Sequence, residues 1–160
     1  MNTKFLFIDV FTQKIYVENF GSRAIENCPD IRENLMDLTH MALREQIPIL
    51  SLMHKGEGPD FEKVSDTDTE AFDPELRVYE EIPDLIFDKY KDRVVFIYGV
   101  PLNEKVYKVC IEALSHFAKV WLVQDAVKST EANEENLINE LKEKGVKMIT
   151  TRNLDKFVGI

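Results

Sequence analysis

The chain has 160 residues, of which 44% are hydrophobic and 31% are charged, a balance that predicts one soluble globular domain over residues 1–160. Its 29 acidic and 20 basic side chains leave a net charge of −9, which argues against nucleic acid as a partner. No apolar run approaches the roughly 20 residues of a membrane span, and none forms a signal-peptide core. We therefore expect a cytoplasmic protein with no membrane partner.

In chain order, the hydrophobic pattern predicts alternating buried strands and amphipathic helices. The predicted strands cover residues 4–11, 47–53, 85–87, 94–98, 120–123 and 146–149, with shorter extended pieces at 14–17 and 76–79. The predicted helices begin at Asp30, Asn103 and Asn133, and Gly145 closes the third. Residues 55–81 are rich in acids, glycine and proline, which predicts a long surface excursion.

This alternation predicts a three-layer α/β/α domain around a mostly parallel sheet. Such sheets bind ligands at the carboxyl ends of their strands, where this chain places Asp9, His54, Lys89 and residues 99–105. The six glycines form neither GxGxxG nor GxxxxGK[ST], so we expect no nucleotide cofactor. GxSxG and HExxH are also absent from the sequence.

Two segments carry a resemblance to a known family. Residues 7–10 end a buried strand on Asp9, and residues 94–126 contain Gly99-Val100 and, further on, Asp125-Ala126. In order and spacing these residues resemble the isochorismatase-like cysteine hydrolases, a superfamily that includes the nicotinamidases. The resemblance implies the isochorismatase-like fold, and it also implies a homo-oligomer, because the family commonly self-associates.

The resemblance breaks at the nucleophile. The family places its catalytic cysteine between the glycine and the later aspartate, at a spacing that falls on Lys105 here. The resemblance implies that Asp9 is the general base and that Lys89 is the third catalytic member. We expect an ion pair between Asp9 and Lys105, within about 4 Å, that fills the place of the family's active site. Cys110 shares an apolar helix face with Val106, which predicts core packing rather than catalysis.

The remaining site residues are His54, Gly99, Val100 and Pro101, which we expect to line a remnant ligand pocket. In the family the peptide bond after Gly-Val is cis, and proline keeps that turn while removing one N–H donor. Metal-binding members carry Asp-x-His after the second strand. Here Leu52 precedes Met53 and His54, so we predict no metal site.

Three functions stay open at this point. The leading hypothesis is a degenerate family member without cysteine-hydrolase activity that binds a small-molecule ligand or serves as an assembly subunit. The second is a divergent hydrolase of a small amide or isochorismate-like substrate that uses Asp9 and Lys105. The third is a purely structural subunit whose own side chains fill the pocket.

Overall fold

Six parallel strands form one sheet in the order β3-β2-β1-β4-β5-β6. The computed structural model describes residues 2–18, 21, 23–26, 28–68, 76–131 and 133–159. The strands are β1 (Phe5–Val10), β2 (Ile49–Met53), β3 (Arg77–Tyr79), β4 (Val94–Gly99), β5 (Lys119–Val127) and β6 (Lys147–Ile149). The order reverses between β1 and β4, so their carboxyl ends form the crevice in which sheets of this kind bind ligands.

Helices cover both faces of the sheet, as right-handed crossovers on either side of a reversal require. They are α1 (Lys14–Val17), α2 (Arg32–Glu45), α3 (Asp84–Tyr90), α4 (Tyr107–Leu114), α5 (Glu134–Glu143) and α6 (Thr151–Val158). Helices α2 and α6 contact each other and β5, whereas α4 contacts α5 and β5. The predicted three-layer fold is therefore confirmed. Within the described residues, no helix combines the length and the apolar character needed to cross a membrane.

The core sits on the two central strands, which are buried along almost their whole length. Phe96 of β4 packs edge-on against Phe7 of β1, and its ring also lies near those of Trp121 and Phe157. Continuous apolar runs such as FLFIDV suit these positions because helices cover both sides of the sheet.

The predicted strand at 85–87 and the predicted extended piece at 14–17 are both wrong. Residues 85–87 lie within α3, where Ile86, Phe87 and Tyr90 are buried and Leu85 is 76% exposed. A three-residue apolar run fits one helical turn as well as a strand, and Pro83 stands at the N-cap of this helix. Residues 14–17 form the single turn α1.

The acidic excursion lies only partly at the surface, because residues 55–59 are exposed whereas Lys63, Val64 and Thr67 are buried. Residues 69–75 of the predicted segment 55–81 lie outside the described residues. Before them, an antiparallel bridge joins Lys63 to Gln13, and the Val64 N–H donates to the Thr12 carbonyl at 3.0 Å. After them, the extended piece predicted at 76–79 is confirmed as β3. Helix α6 was not predicted, although Thr150 caps it by accepting a bond from the Asn153 N–H.

Candidate functional site

The crevice is built around Gly99, where β4 ends against β1. Gly99 has φ +124°, and a Cβ at this position would meet the Val10 carbonyl oxygen at 2.0 Å. The Val100 N–H donates to that same carbonyl at 2.9 Å, which ties the turn to β1. The Val100-Pro101 peptide bond that follows is cis, the form that the resemblance implies. A π-helical turn, Leu102–Val106, then presents Lys105.

Asp9 is held in a closed group of side chains, which we call the Asp9 network: Asp9, Thr12, Ser51, Lys63 and Thr67. The Lys63 ammonium forms an ion pair with the Asp9 carboxylate, and both side chains are 1% exposed. Thr12 Oγ1 donates to Asp9 Oδ1 at 2.7 Å, and Lys63 Nζ donates to Ser51 Oγ at 3.1 Å. Every member of the network is buried, so the charge of Asp9 is neutralised inside the protein.

The predicted ion pair between Asp9 and Lys105 is wrong. Lys63 pairs with Asp9, and Lys105 Nζ instead lies 5.9 Å from the ring centroid of Phe11, the residue that follows β1. The physical reason is the bridge between Gln13 and Lys63, which carries the excursion across the end of β1. No local sequence pattern indicates a contact between residues so far apart in the chain.

Lys89 is not brought to this crevice either. It is exposed in the last turn of α3, with its Nζ 5.5 Å from the ring centroid of Tyr90. Helix α3 leads into the amino end of β4. Lys89 therefore lies at the amino ends of the strands, whereas Asp9 lies near their carboxyl ends. Lys63 thus stands beside Asp9, where the resemblance called for Lys89.

A second group of side chains surrounds His54, and we call it the His54 cluster: Phe11, Tyr16, Arg23, His54, Phe61 and Glu80. The imidazole is 21% exposed, with its ring centroid 5.4 Å from that of Phe11 and 5.7 Å from that of Phe61. Arg23 Nη1 lies 2.8 Å from His54 Nε2, and Glu80 Oε1 lies 2.9 Å from Nδ1. The predicted site residue His54 therefore has a charged neighbour at each ring nitrogen.

The buried amide of Gln13 fixes the backbone that carries His54. Gln13 Nε2 donates to the His54 carbonyl at 2.9 Å, and the His54 N–H donates back to Gln13 Oε1 at 2.6 Å. Sequence reasoning missed Gln13, Arg23, Lys63 and Glu80, because each acts through a partner that is distant in sequence.

The residues around His54 do not fit the metal ion that metal-binding members of the resembled family hold. The aspartate of their Asp-x-His motif is replaced by Leu52, which is buried in the core. The Nε2 atom of His54 faces a guanidinium instead of an open position. Among the described residues, no three His, Cys, Asp or Glu side chains are grouped closely enough to hold an ion.

Two tyrosines near the crevice have raised pKa values. Burial raises the pKa of Tyr98 well above its ordinary value, and the neighbouring Asp9 carboxylate adds to this. Burial also raises the pKa of Tyr16, against the opposing effect of its hydrogen bond to Arg23. Both phenols therefore stay protonated at neutral pH.

Neither cysteine of the chain is available as a nucleophile. Cys28 and Cys110 are both 0% exposed. Burial raises the pKa of each thiol to about 12, so the reactive thiolate is absent at neutral pH. The expectation that Cys110 packs in the core is confirmed.

We expect native protein to show no thiol that reacts with Ellman's reagent at about pH 8, and both thiols to react after unfolding in guanidinium chloride. Lys105→Cys is the matched control, because it places a thiol at a half-buried position of the crevice and should add one reactive group in the native state. Stoichiometric labelling of the native wild-type protein would contradict the burial of Cys28 and Cys110.

No protein-family model matches the sequence, and no curated protein matches it. Solved structures match closely in fold. The chain has the isochorismatase-like fold.

Three matched structures illustrate the likeness. A cysteine hydrolase from Pseudomonas syringae pv. phaseolicola 1448A is 14% identical with a TM-score of 0.85, and the match covers 99% of this chain and 94% of that one. An isochorismatase-like hydrolase from Alkaliphilus metalliredigens is 14% identical with a TM-score of 0.82, covering 96% and 98%. A pyrazinamidase of Pyrococcus horikoshii, solved in complex with zinc, is 18% identical with a TM-score of 0.78, covering 92% and 99%.

Proposed function

We propose that this isochorismatase-like protein binds a small ligand in the crevice and does not act as a cysteine hydrolase. The observation that carries the proposal is the burial of both thiols of the chain, together with a lysine at the position where the resemblance places the nucleophile. Covalent catalysis of this class begins with a thiolate, and this chain has none in the crevice.

The contacts of Asp9, which the resemblance implies is the general base, support the same conclusion. A general base must reach the proton that it abstracts and must be free to accept it. The Asp9 carboxylate is buried, is paired with Lys63 and already accepts a hydrogen bond from Thr12. These contacts favour a structural role for a carboxylate that the family uses catalytically.

Ligand binding is supported by the groups that stay partly exposed around Phe11. Arg23 is exposed, and the Lys105 and His54 residues are half-buried, beside the aromatic rings of Phe11 and Tyr16. A few convergent polar groups on an aromatic wall are typical of small-molecule sites. Within this proposal, the buried residues Val100 and Pro101 shape the turn, and His54 and Lys105 contact the ligand.

A second candidate function is a structural subunit of a homo-oligomer. The observation that favours it is the Asp9 network itself, because the protein's own side chains fill that part of the site. Light scattering coupled to size-exclusion chromatography measures the oligomeric state, and thermal-shift titration measures ligand binding. An oligomer that shows no ligand-induced shift would favour the structural role.

The test of the leading proposal uses nicotinamide and pyrazinamide as probes. We expect no ammonia release from either amide with the wild-type protein, and a thermal shift that Lys105→Ala weakens. Lys108→Ala, an exposed lysine one turn further along, is the matched control and should leave the shift unchanged. Turnover by the wild type that disappears in Lys105→Ala would overturn the proposal and establish the divergent hydrolase instead.

A further inference from the structure

The two ring nitrogens of His54 face groups of opposite hydrogen-bonding character. A guanidinium has only donors, so His54 Nε2, at 2.8 Å from Arg23 Nη1, must present its lone pair. In a neutral imidazole the proton is then on Nδ1, which lies 2.9 Å from Glu80 Oε1 but is not aligned for a hydrogen bond with it. The tautomer protonated on Nδ1 therefore accepts from Arg23 at Nε2 and places its N–H near the Glu80 carboxylate.

A histidine binds a metal ion through the lone pair of one ring nitrogen, and in this tautomer that nitrogen is Nε2. Here the Arg23 guanidinium lies against Nε2, and its interaction with the Tyr16 phenol lowers the pKa of that group, against the larger effect of burial. The ring packs in tilted contacts with Phe11 and Phe61, and two hydrogen bonds between the His54 backbone and the Gln13 amide hold its main chain.

We propose that Arg23 is a resident cation that takes the place of a divalent metal ion at His54. The side chain supplies a permanent positive charge at the crevice, because a guanidinium stays protonated at any physiological pH. A guanidinium orients an acceptor group through its N–H donors, and it does not generate a metal-bound hydroxide. This inference stands on the His54 cluster alone and does not depend on the proposed ligand-binding function.

The charges around the imidazole agree with this assignment. Glu80 balances the guanidinium across the ring, and its Oε1 also accepts the Lys55 N–H at 2.5 Å. A divalent ion at Nε2 would have to displace Arg23.

Modification by diethylpyrocarbonate tests the proposal, since the reagent attacks an imidazole nitrogen with a free lone pair. Peptide mass spectrometry reports the rate separately for His54 and for the exposed His40, which serves as the internal reference. In the wild type we expect His54 to react at least about tenfold more slowly than His40. Arg23→Ala should raise the His54 rate at least about fivefold, and Arg23→Gln is a second variant of similar size.

Two solutes added to the reaction test whether the Arg23 cation causes the protection of His54. Guanidinium ion at tens of millimolar should restore protection of His54 in Arg23→Ala, whereas sodium chloride at equal ionic strength should not. Millimolar Zn²⁺ should slow the modification of His54 in Arg23→Ala and leave the wild-type rate unchanged. Arg152→Ala, which removes an exposed arginine from α6, is the matched control and should behave as the wild type.

Three results would overturn the proposal. The first is a wild-type His54 that reacts as fast as His40. The second is an unchanged His54 rate in both Arg23 variants, with circular dichroism showing that they are folded. The third is Zn²⁺ binding by the wild-type protein, measured calorimetrically, that His54→Ala abolishes. Amide hydrolysis and ligand binding do not enter these measurements, so the proposal fails or stands separately from the proposed function.

Discussion

Lys63→Met is expected to lower the free energy of unfolding by about 3–5 kcal/mol, because it leaves the Asp9 carboxylate buried without its counter-ion. Asp9 and Lys63 are each 1% exposed, so water cannot replace the lost partner. Methionine keeps most of the volume of the lysine stem, which limits the contribution of a cavity. Urea denaturation followed by circular dichroism measures the change.

The control is Lys14→Met, which removes a lysine from an ion pair at the surface. Lys14 and Glu62 lie 3.4 Å apart, with side chains 35% and 66% exposed, so water and salt screen their interaction. We expect a loss below about 1 kcal/mol there. The double variant Asp9→Asn/Lys63→Met should lose less than the sum of its single variants, since it removes both charges. Equal effects of Lys63→Met and Lys14→Met would contradict the buried pair.

Gly99→Ala is expected to destabilise the protein by about 3 kcal/mol or more, from positive φ and a backbone clash together. The residue has φ +124°, and its added Cβ would meet the oxygen of Val10 at 2.0 Å and the nitrogen at 2.8 Å. Both are backbone atoms of the central strand β1, which is hydrogen-bonded on both sides and cannot move aside cheaply. Thermal unfolding of the variant measures the loss.

Gly58→Ala separates the two causes. Gly58 also has positive φ, at +98°, but a Cβ there would meet no atom within 4 Å. The free energy of unfolding of Gly58→Ala should fall only by the cost of placing alanine at positive φ, about 1–2 kcal/mol. If both alanine variants melt at the same temperature, the close approach of Gly99 to Val10 is not a determinant of stability.

Much of the fold follows from local sequence pattern. Apolar runs that are buried on both faces identify β1, β2, β4 and β5, because strand burial depends mainly on the residues of the strand itself. Short segments are the exception, since residues 85–87 and 14–17 became helical turns where packing outweighed a weak local preference.

The candidate site likewise has a part that local sequence indicates and a part that depends on tertiary contacts. The sequence by itself determined that Asp9 ends a buried strand, that Gly99 and Pro101 form the turn beside it and that Lys105 follows. Only the tertiary structure decided which charges meet: Lys63 with Asp9, and Arg23 and Glu80 with His54. Burial along a strand depends mainly on the neighbouring residues of that strand. An ion pair depends on where distant segments of the chain cross, and hydrophobic periodicity carries no information about that.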